Sequence, residues 1–102
     1  MTEIRLTDAA RQDLIELWQY YSVVEEALAD RILARIDIRI RSLADHPKVG
    51  RARPEFELPD LRSIAVRPHV IFYSCSNDEK VFVHRIVDGR RDLPSVLKPG
   101  ND

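Results

Sequence analysis

Apolar side chains recur along the first half of the chain with the three-to-four-residue spacing of amphipathic helices. A short alternating segment at 3–6 predicts a strand, and the helical pattern that follows predicts a helix over 8–21. Thr7 is suited to cap this helix, because a threonine hydroxyl accepts a hydrogen bond from a free N–H of the first turn. The apolar positions of the helix are Ala10, Leu14, Leu17 and Tyr21.

A second and longer helix is predicted over 24–45. Its apolar residues recur at spacings of 4, 4, 4 and 3 residues and therefore lie on one face. Ser22 and Glu25 stand in the register of a capping box, and Pro47 disfavours helical backbone just before it. The short link between the helices predicts an antiparallel hairpin. The apolar positions are Leu28, Ile32, Ile36, Ile40 and Leu43.

The second half of the chain has the alternating pattern of strands. Segments 61–66, 70–75 and 81–86 are rich in β-branched and aromatic residues, and the last two are predicted to form a hairpin. Segment 47–60 contains three prolines and one glycine without a sustained period, which indicates an ordered surface loop. The tail segment RRDLPSVL is expected to form one helical turn.

The order β-α-α-β-β-β predicts a single α+β domain over residues 1–102. A helical hairpin and a small antiparallel sheet must each cover an apolar face, and helices packed on one face of the sheet satisfy both needs. The first strand is expected beside one of the distal strands, and the pattern leaves open which one.

Composition narrows the class of protein and of site. The chain is 44% hydrophobic and 32% charged, without an apolar run long enough to span a membrane and without the pattern of a secretory signal. A lone cysteine, Cys75, excludes an internal disulfide and a cysteine-rich zinc site, and a cytoplasmic protein with a buried thiol is expected. We find no ligand cluster and no glycine-rich phosphate loop, so neither a metal nor a cofactor is predicted.

Charge is divided unevenly along the chain. Residues 1–45 carry six basic and nine acidic side chains, whereas residues 46–102 carry ten basic and eight acidic ones. The arginines of the second half interleave with predicted strand residues. This half is therefore a candidate contact face, with a solvated or internally paired surface as the alternative.

Four segments of the chain resemble the ParE/RelE superfamily of bacterial toxins, which are encoded beside an antitoxin. The resemblance extends over roughly residues 4–97 and implies a helical hairpin against a small antiparallel sheet, in agreement with the patterns. The segments are DLIELWQYY, IRSLADHPKVGRARPE, LRSIAVRPHVIFYS and VHRIVDGRRDL.

The superfamily contains two activities. RelE-like members cut messenger RNA on the ribosome, whereas ParE-like members bind DNA gyrase and stabilise its broken-DNA state. RNA cleavage requires a base, an acid and cations that stabilise the charge developing on phosphorus. The candidates for that set in this sequence are Arg62, Arg67, Tyr73, His84 and Arg85.

This nuclease set is incomplete by the standard of the family. His84 and Arg85 are adjacent in a predicted strand and are expected on opposite sides of the sheet. No tyrosine or histidine follows His84, and no lysine lies between Lys48 and Lys80. The segment RIVDGRRDL matches the ParE pattern instead. The resemblance thus implies a gyrase inhibitor without catalytic residues; a RelE-like ribosome-dependent mRNA endonuclease and an inactive or differently targeted toxin are the alternatives.

The resemblance also implies two protein contacts. Arg85, Arg90 and Arg91 are expected to contact gyrase, because the resemblance places toxicity partly in the C-terminal region; a solvated tail is the alternative. A ParD-like antitoxin with a segment that folds on binding is the expected partner, and it alone would connect the toxin to operator DNA.

Four residues are expected to contact that antitoxin, each with a structural alternative. Trp18 is also placed to pack the hairpin on the sheet, whereas Tyr20 lies off the apolar stripe. Arg67 is expected to be exposed. The alternative for Arg62 is an ion pair with an acidic residue of the preceding loop. The four residues are Trp18, Tyr20, Arg62 and Arg67, and the acidic residues are Glu55, Glu57 and Asp60.

Overall fold

The computed structural model describes residues 2–76 and 79–90. It confirms the α+β class and the predicted order of the main elements. The tail segment RRDLPSVL and its predicted helical turn lie outside the described residues. The elements are β1 (Glu3–Leu6), α1 (Asp8–Ser22), α2 (Glu26–Ser42), β2 (Arg51–Ala52), β3 (Leu61–Val66), β4 (His69–Cys75) and β5 (Lys80–Asp88).

The strands form one five-stranded sheet in the order β1-β5-β4-β3-β2. β1 lies beside the distal strand β5, as expected of the first strand, and Glu3 is aligned with Lys80. This pair is parallel, whereas the other three are antiparallel, so the sheet is mixed and not wholly antiparallel as predicted. The parallel arrangement is possible because the helical hairpin and the remaining strands separate the two members.

The observed N-terminal cap of α1 agrees with the prediction, whereas that of α2 does not. Thr7 caps α1 as predicted, because its hydroxyl accepts a hydrogen bond from the Ala10 N–H at 3.1 Å. The predicted capping box is wrong: the Ser22 hydroxyl donates to the Gln19 carbonyl at 2.9 Å, and Glu25 itself takes the N-cap position without a side-chain bond. α2 is therefore shorter than the predicted 24–45.

The two helices pack on one face of the sheet. The apolar stripe of α2 reaches this core through Ile36, Ile40 and Leu43, and Leu17 contributes from α1. β4 and β5 supply buried side chains to the same cluster. Burial of these side chains provides the main favourable free energy of folding. The contributors from β4 and β5 are Ile71, Tyr73, Val81, Val83 and Ile86.

A smaller apolar cluster covers the opposite face of the sheet. Phe56 packs on Phe72 with the ring centroids 5.7 Å apart, and the Arg53 guanidinium lies 5.0 Å from the Phe56 ring centroid. Segment 47–60, predicted to be an ordered surface loop, contains the short strand β2, and its Phe56 covers this face. Two residues are too few for alternation to reveal a strand.

In the part of the chain that the structure describes, no helix is both long enough and apolar enough to cross a membrane.

Candidate functional site

A bulge in β5 changes the faces to which its residues point. Phe72 is aligned with Arg85 and Tyr73 with Val83, so His84 is the extra residue. Val83 and Ile86 both belong to the helix-facing core, and the two residues between them do not. Strand parity alone therefore does not determine how His84 and Arg85 point, because a bulge interrupts strict alternation. The two side chains bind different partners, Ser74 for His84 and Asp13 of α1 for Arg85.

Arg85 is fixed to the first helix by an ion pair. Its Nε donates to Asp13 Oδ2 at 2.7 Å and its Nη2 donates to Asp13 Oδ1 at 2.9 Å. Asp13 Oδ2 also accepts the Ile86 backbone N–H at 2.9 Å. Hydrogen bonding to Asp13 raises the pKa of Arg85. The pair is bidentate, which fixes the orientation of the guanidinium group. Arg85 therefore joins α1 to the outer edge of β5.

Tyr73 is buried beneath the segment that follows α2. Its side chain is 0% exposed, and its hydroxyl oxygen accepts the Gly50 N–H at 2.8 Å. Burial raises the pKa of Tyr73. A Cβ atom at residue 50 would lie only 2.5 Å from that oxygen, so glycine is required for this close approach. Tyr73 thus holds the loop in place.

Arg62 supports the same loop from the neighbouring strand. Its Nη1 donates to the Gly50 carbonyl at 2.8 Å and to the Lys48 carbonyl at 3.2 Å. Within the described ranges it makes no ion pair with the acidic residues of the preceding loop, which was the structural alternative considered for it. Arg62 and Tyr73 are aligned across β3 and β4, and Gly50 is the group that they share.

His84 lies on the other face of the sheet. Its Nε2 and the Ser74 Oγ share a hydrogen bond of 2.8 Å. Since Ser74 follows Tyr73 along β4, His84 and Tyr73 are on opposite faces. Burial lowers the pKa of His84, which favours the neutral imidazole at physiological pH.

The structure therefore disperses the five residues of the nuclease set. Arg62 and Tyr73 meet beneath the loop, His84 is on the opposite face, and Arg85 is at the outer edge of β5. Arg67 is exposed after the end of β3, as predicted. No single surface presents the five groups together.

Of the residues expected to contact gyrase, Arg90 is exposed directly after β5. Its Nε donates to Asp88 Oδ1 at 2.9 Å, and this hydrogen bond keeps the pKa of Asp88 well below its usual range. Arg91 lies outside the described residues. Arg85, the third member of the set, has its guanidinium bound to Asp13.

A groove of about 420 Å³ separates α1 from the end of β5. Tyr20, 72% exposed, stands at its edge, and its ring meets that of Tyr21 edge to face at 5.1 Å. Tyr21 packs against the core, and its ring meets the His69 ring edge to face with the ring centroids 5.8 Å apart. Trp18 is partly buried and its indole N–H donates to Asp30 Oδ1 at 2.9 Å, so it ties the two helices together.

The comparisons with known proteins agree with this architecture. A family model described as the ParE toxin of type II toxin-antitoxin system, parDE, matches residues 4–93. The chain belongs to this family. It is thus the ParE-type toxin of a toxin–antitoxin system.

Two solved structures resemble this ParE-family chain in fold. One is the chromosomal ParDE system from P. aeruginosa, with 22% identity, a TM-score of 0.72, and coverage of 86% of this chain and 96% of that chain. The other is the toxin–antitoxin complex RelBE2 from Mycobacterium tuberculosis, with 24% identity, a TM-score of 0.54, and coverage of 85% and 96%. A search among curated protein sequences found no match.

Sequence reasoning missed three groups of this ParE-family fold. Asp13 was one of several polar residues on α1, and nothing in the pattern links it to a strand near the other end of the chain. Gly50 had a usable signal, since a lone glycine often marks a close approach of backbone. His69 lies just outside the predicted strand 70–75 but is buried in β4, where burial lowers its pKa.

The prediction for the lone cysteine can be compared with the structure. Cys75 was expected to be buried and is partly exposed at the end of β4. Among residues 2–76 and 79–90, no group of three or more His, Cys, Asp or Glu side chains is arranged to hold a metal ion.

Proposed function

We propose that this ParE-family toxin inhibits DNA gyrase by binding it and that a ParD-like antitoxin neutralises it. One observation carries the proposal: four of the five side chains considered for RNA cleavage are bonded to other groups of the fold, namely Arg62, Tyr73, His84 and Arg85. A general acid must reach the leaving oxygen of its substrate, yet the Tyr73 hydroxyl is buried against Gly50. The Arg85 guanidinium is bound by Asp13.

The target contact is proposed at the end of β5. Arg90 is exposed there, and Arg91 follows it in the sequence. We assign Arg85 a supporting part, because its ion pair with Asp13 fixes the strand that ends shortly before Arg90. Exposed arginines suit contact with an acidic or phosphate-bearing partner, since the guanidinium fork matches carboxylates and phosphates.

The antitoxin contact is proposed at the helical hairpin and at the nearby arginines. Tyr20 offers a large exposed ring, and aromatic side chains of this kind often dominate interface energetics. Trp18 supports this surface by fixing the two helices to each other. Arg67 is available to an acidic antitoxin segment, whereas Arg62 acts indirectly by positioning residues 48–50.

These partners define the proposed setting. Gyrase and the antitoxin place the protein in the bacterial cytoplasm. The toxin reaches operator DNA only through the antitoxin. Binding of the antitoxin to the folded toxin also stabilises the toxin by mass action, so the free toxin should unfold more readily than the complex.

The test compares two activities of the purified protein. Gyrase supercoiling should stop, with cleaved DNA accumulating, at toxin concentrations comparable to that of gyrase, and ribosome-bound message should remain intact. Arg90→Glu should weaken this inhibition by about tenfold, because it reverses the charge of an exposed contact. Arg11→Glu, which reverses an exposed charge on α1, is the matched control.

Two results would overturn the proposal. Cleavage of translated message by catalytic amounts of protein, with supercoiling unchanged, would assign the toxin to the RelE-like nucleases. Absence of both activities in a protein that is correctly folded would assign it to the inactive or differently targeted class.

A further inference from the structure

The strand β3 leaves part of one edge unpaired. β2 is aligned only with Arg62 and Ser63, and the neighbouring Arg53 N–H donates to the Leu61 carbonyl at 2.8 Å. Since backbone groups alternate in direction along a strand, the N–H and C=O of Ala65 point to the same side as those of Leu61. Among the described residues, no strand lies beside Ala65 on that side.

This open edge borders a groove of about 440 Å³ between α2 and the end of β3. Ile38 provides an apolar surface that is 69% exposed, and Ala65 and Val66 form the opposite wall. An exposed aliphatic side chain beside unpaired backbone is a combination that proteins ordinarily avoid at sheet edges. The groove therefore combines apolar contact with free hydrogen-bonding groups.

Three arginines surround the groove. Arg35 and Arg39 approach from α2, and Arg67 approaches from the end of β3. In the ranges 2–76 and 79–90, none of the three has an ion pair, whereas Arg41 on the same helix is paired with Asp37 at 2.9 Å. The groove thus brings together three guanidinium groups that make no ion pair with a carboxylate of the described residues.

The geometry points to this groove as the binding site for an extended acidic segment of the antitoxin, which adds a strand to β3. This inference rests on the proposed function, since it identifies where part of the antitoxin binds. The open edge selects an extended backbone, because strand addition satisfies the free N–H and C=O of Ala65. The three guanidinium groups favour a segment that carries carboxylates, because these form charge-assisted hydrogen bonds with arginine. The exposed Ile38 favours an apolar side chain between those carboxylates.

Peptide titration tests the site without requiring the antitoxin. Isotope-labelled protein is titrated with a capped peptide of about eight alternating Glu and Val residues, up to about 1 mM, and the amide NMR signals are followed. The amides of Ala65, Val66 and Arg67 should shift, and hydrogen exchange at Ala65 should slow. A peptide with Lys in place of Glu and a single-stranded oligonucleotide of equal charge are the comparison probes.

Two sets of variants test separately how much the arginine charges and the backbone hydrogen bonds of Ala65 contribute to peptide binding. Arg35→Glu and Arg39→Glu should each weaken peptide binding by about tenfold, whereas Arg11→Glu should leave it unchanged. Ala65→Pro removes the outward N–H and should abolish binding, while the β3–β4 pairing tolerates it because that N–H faces away from β4. Ala65→Ser retains the N–H and should bind normally. Circular dichroism and thermal unfolding confirm that each variant is folded.

The inference is overturned if the acidic peptide leaves these amides unshifted, if Ala65→Pro binds like the parent protein, or if the oligonucleotide binds there more tightly. It is also overturned if purified antitoxin binds the toxin without displacing the bound peptide. Each of these results leaves gyrase inhibition untouched, so a failure of the groove is distinguishable from a failure of the proposed function.

Discussion

Asp13 and Arg85 form a two-pronged ion pair that joins α1 to β5, with side chains only 12% and 25% exposed. The same carboxylate accepts the Ile86 backbone N–H at the unpaired part of the β5 edge. The Asp13 carboxylate therefore accepts hydrogen bonds both from a guanidinium group and from a backbone N–H at the edge of the sheet.

Replacing this carboxylate should cost much of the stability of the protein. Asp13→Ala is expected to lower the free energy of unfolding by roughly 2–4 kcal/mol, because it leaves a half-buried cation and a backbone N–H without their acceptor. Asp37→Ala, which breaks the exposed pair with Arg41, should cost about 0.5 kcal/mol or less. Urea unfolding measures both, and equal losses would contradict the role assigned to Asp13.

The hydroxyl of Tyr73 should matter for the loop and not for chemistry. Tyr73→Phe is expected to lower the free energy of unfolding by about 1–3 kcal/mol, since the Gly50 N–H loses its buried acceptor. Tyr20→Phe removes an exposed hydroxyl and should have almost no effect. Thermal unfolding compares the two variants. If Tyr73→Phe is as stable as the parent protein, the hydrogen bond does not hold the loop.

Stability should decrease as the solution becomes mildly acidic. Burial lowers the pKa values of His69 and His84 from the usual 6.5, and Arg90 and Arg35 lower that of His69 further while Asp88 opposes them. At low pH the unfolded chain therefore binds more protons than the folded protein does.

The free energy of unfolding should accordingly fall between about pH 7.5 and about pH 5.5. Urea unfolding at several pH values measures this slope. The double variant His69→Gln, His84→Gln should show a flatter dependence. An identical slope in the parent protein and the variant would assign the acid sensitivity to other groups.

Tyr20 should contribute to antitoxin binding without contributing to the fold. Tyr20→Ala is expected to weaken antitoxin binding by about tenfold or more, because it removes a large exposed ring from the proposed interface. Its free energy of unfolding should change by less than about 0.5 kcal/mol. Calorimetric titration with purified antitoxin measures the affinity, and Gln19→Ala is the neighbouring exposed control. Unchanged affinity would remove Tyr20 from the interface.

The sequence was sufficient for the parts of the fold that depend on local pattern. The stripes of both helices, the Thr7 cap and the three long strands follow from the spacing of residues near each other in the chain. The bulge at His84 and the short strand β2 were not predictable in this way, because each interrupts or is too short for a periodic pattern.

The site depends on partners that are far apart in the sequence. Asp13 meets Arg85 across 72 positions, and Gly50 meets Tyr73 across 23. A pattern of polar and apolar residues indicates that each of these side chains is polar or apolar, but not which distant group it contacts. For this reason the sequence indicated arginines as candidate contact residues, while the groups that each of them binds within the fold required the three-dimensional structure.

The pairing of β1 with β5 has a consequence for the synthesis of the toxin. β1 cannot pair with β5 until the ribosome has made the long segment between them, since Glu3 is aligned with Lys80. A nascent chain that ends before β5 lacks the strand that lies between β1 and β4, so the five-stranded sheet cannot be completed. Such a chain also lacks Arg90, the proposed gyrase contact, so we expect an interrupted translation product not to inhibit gyrase.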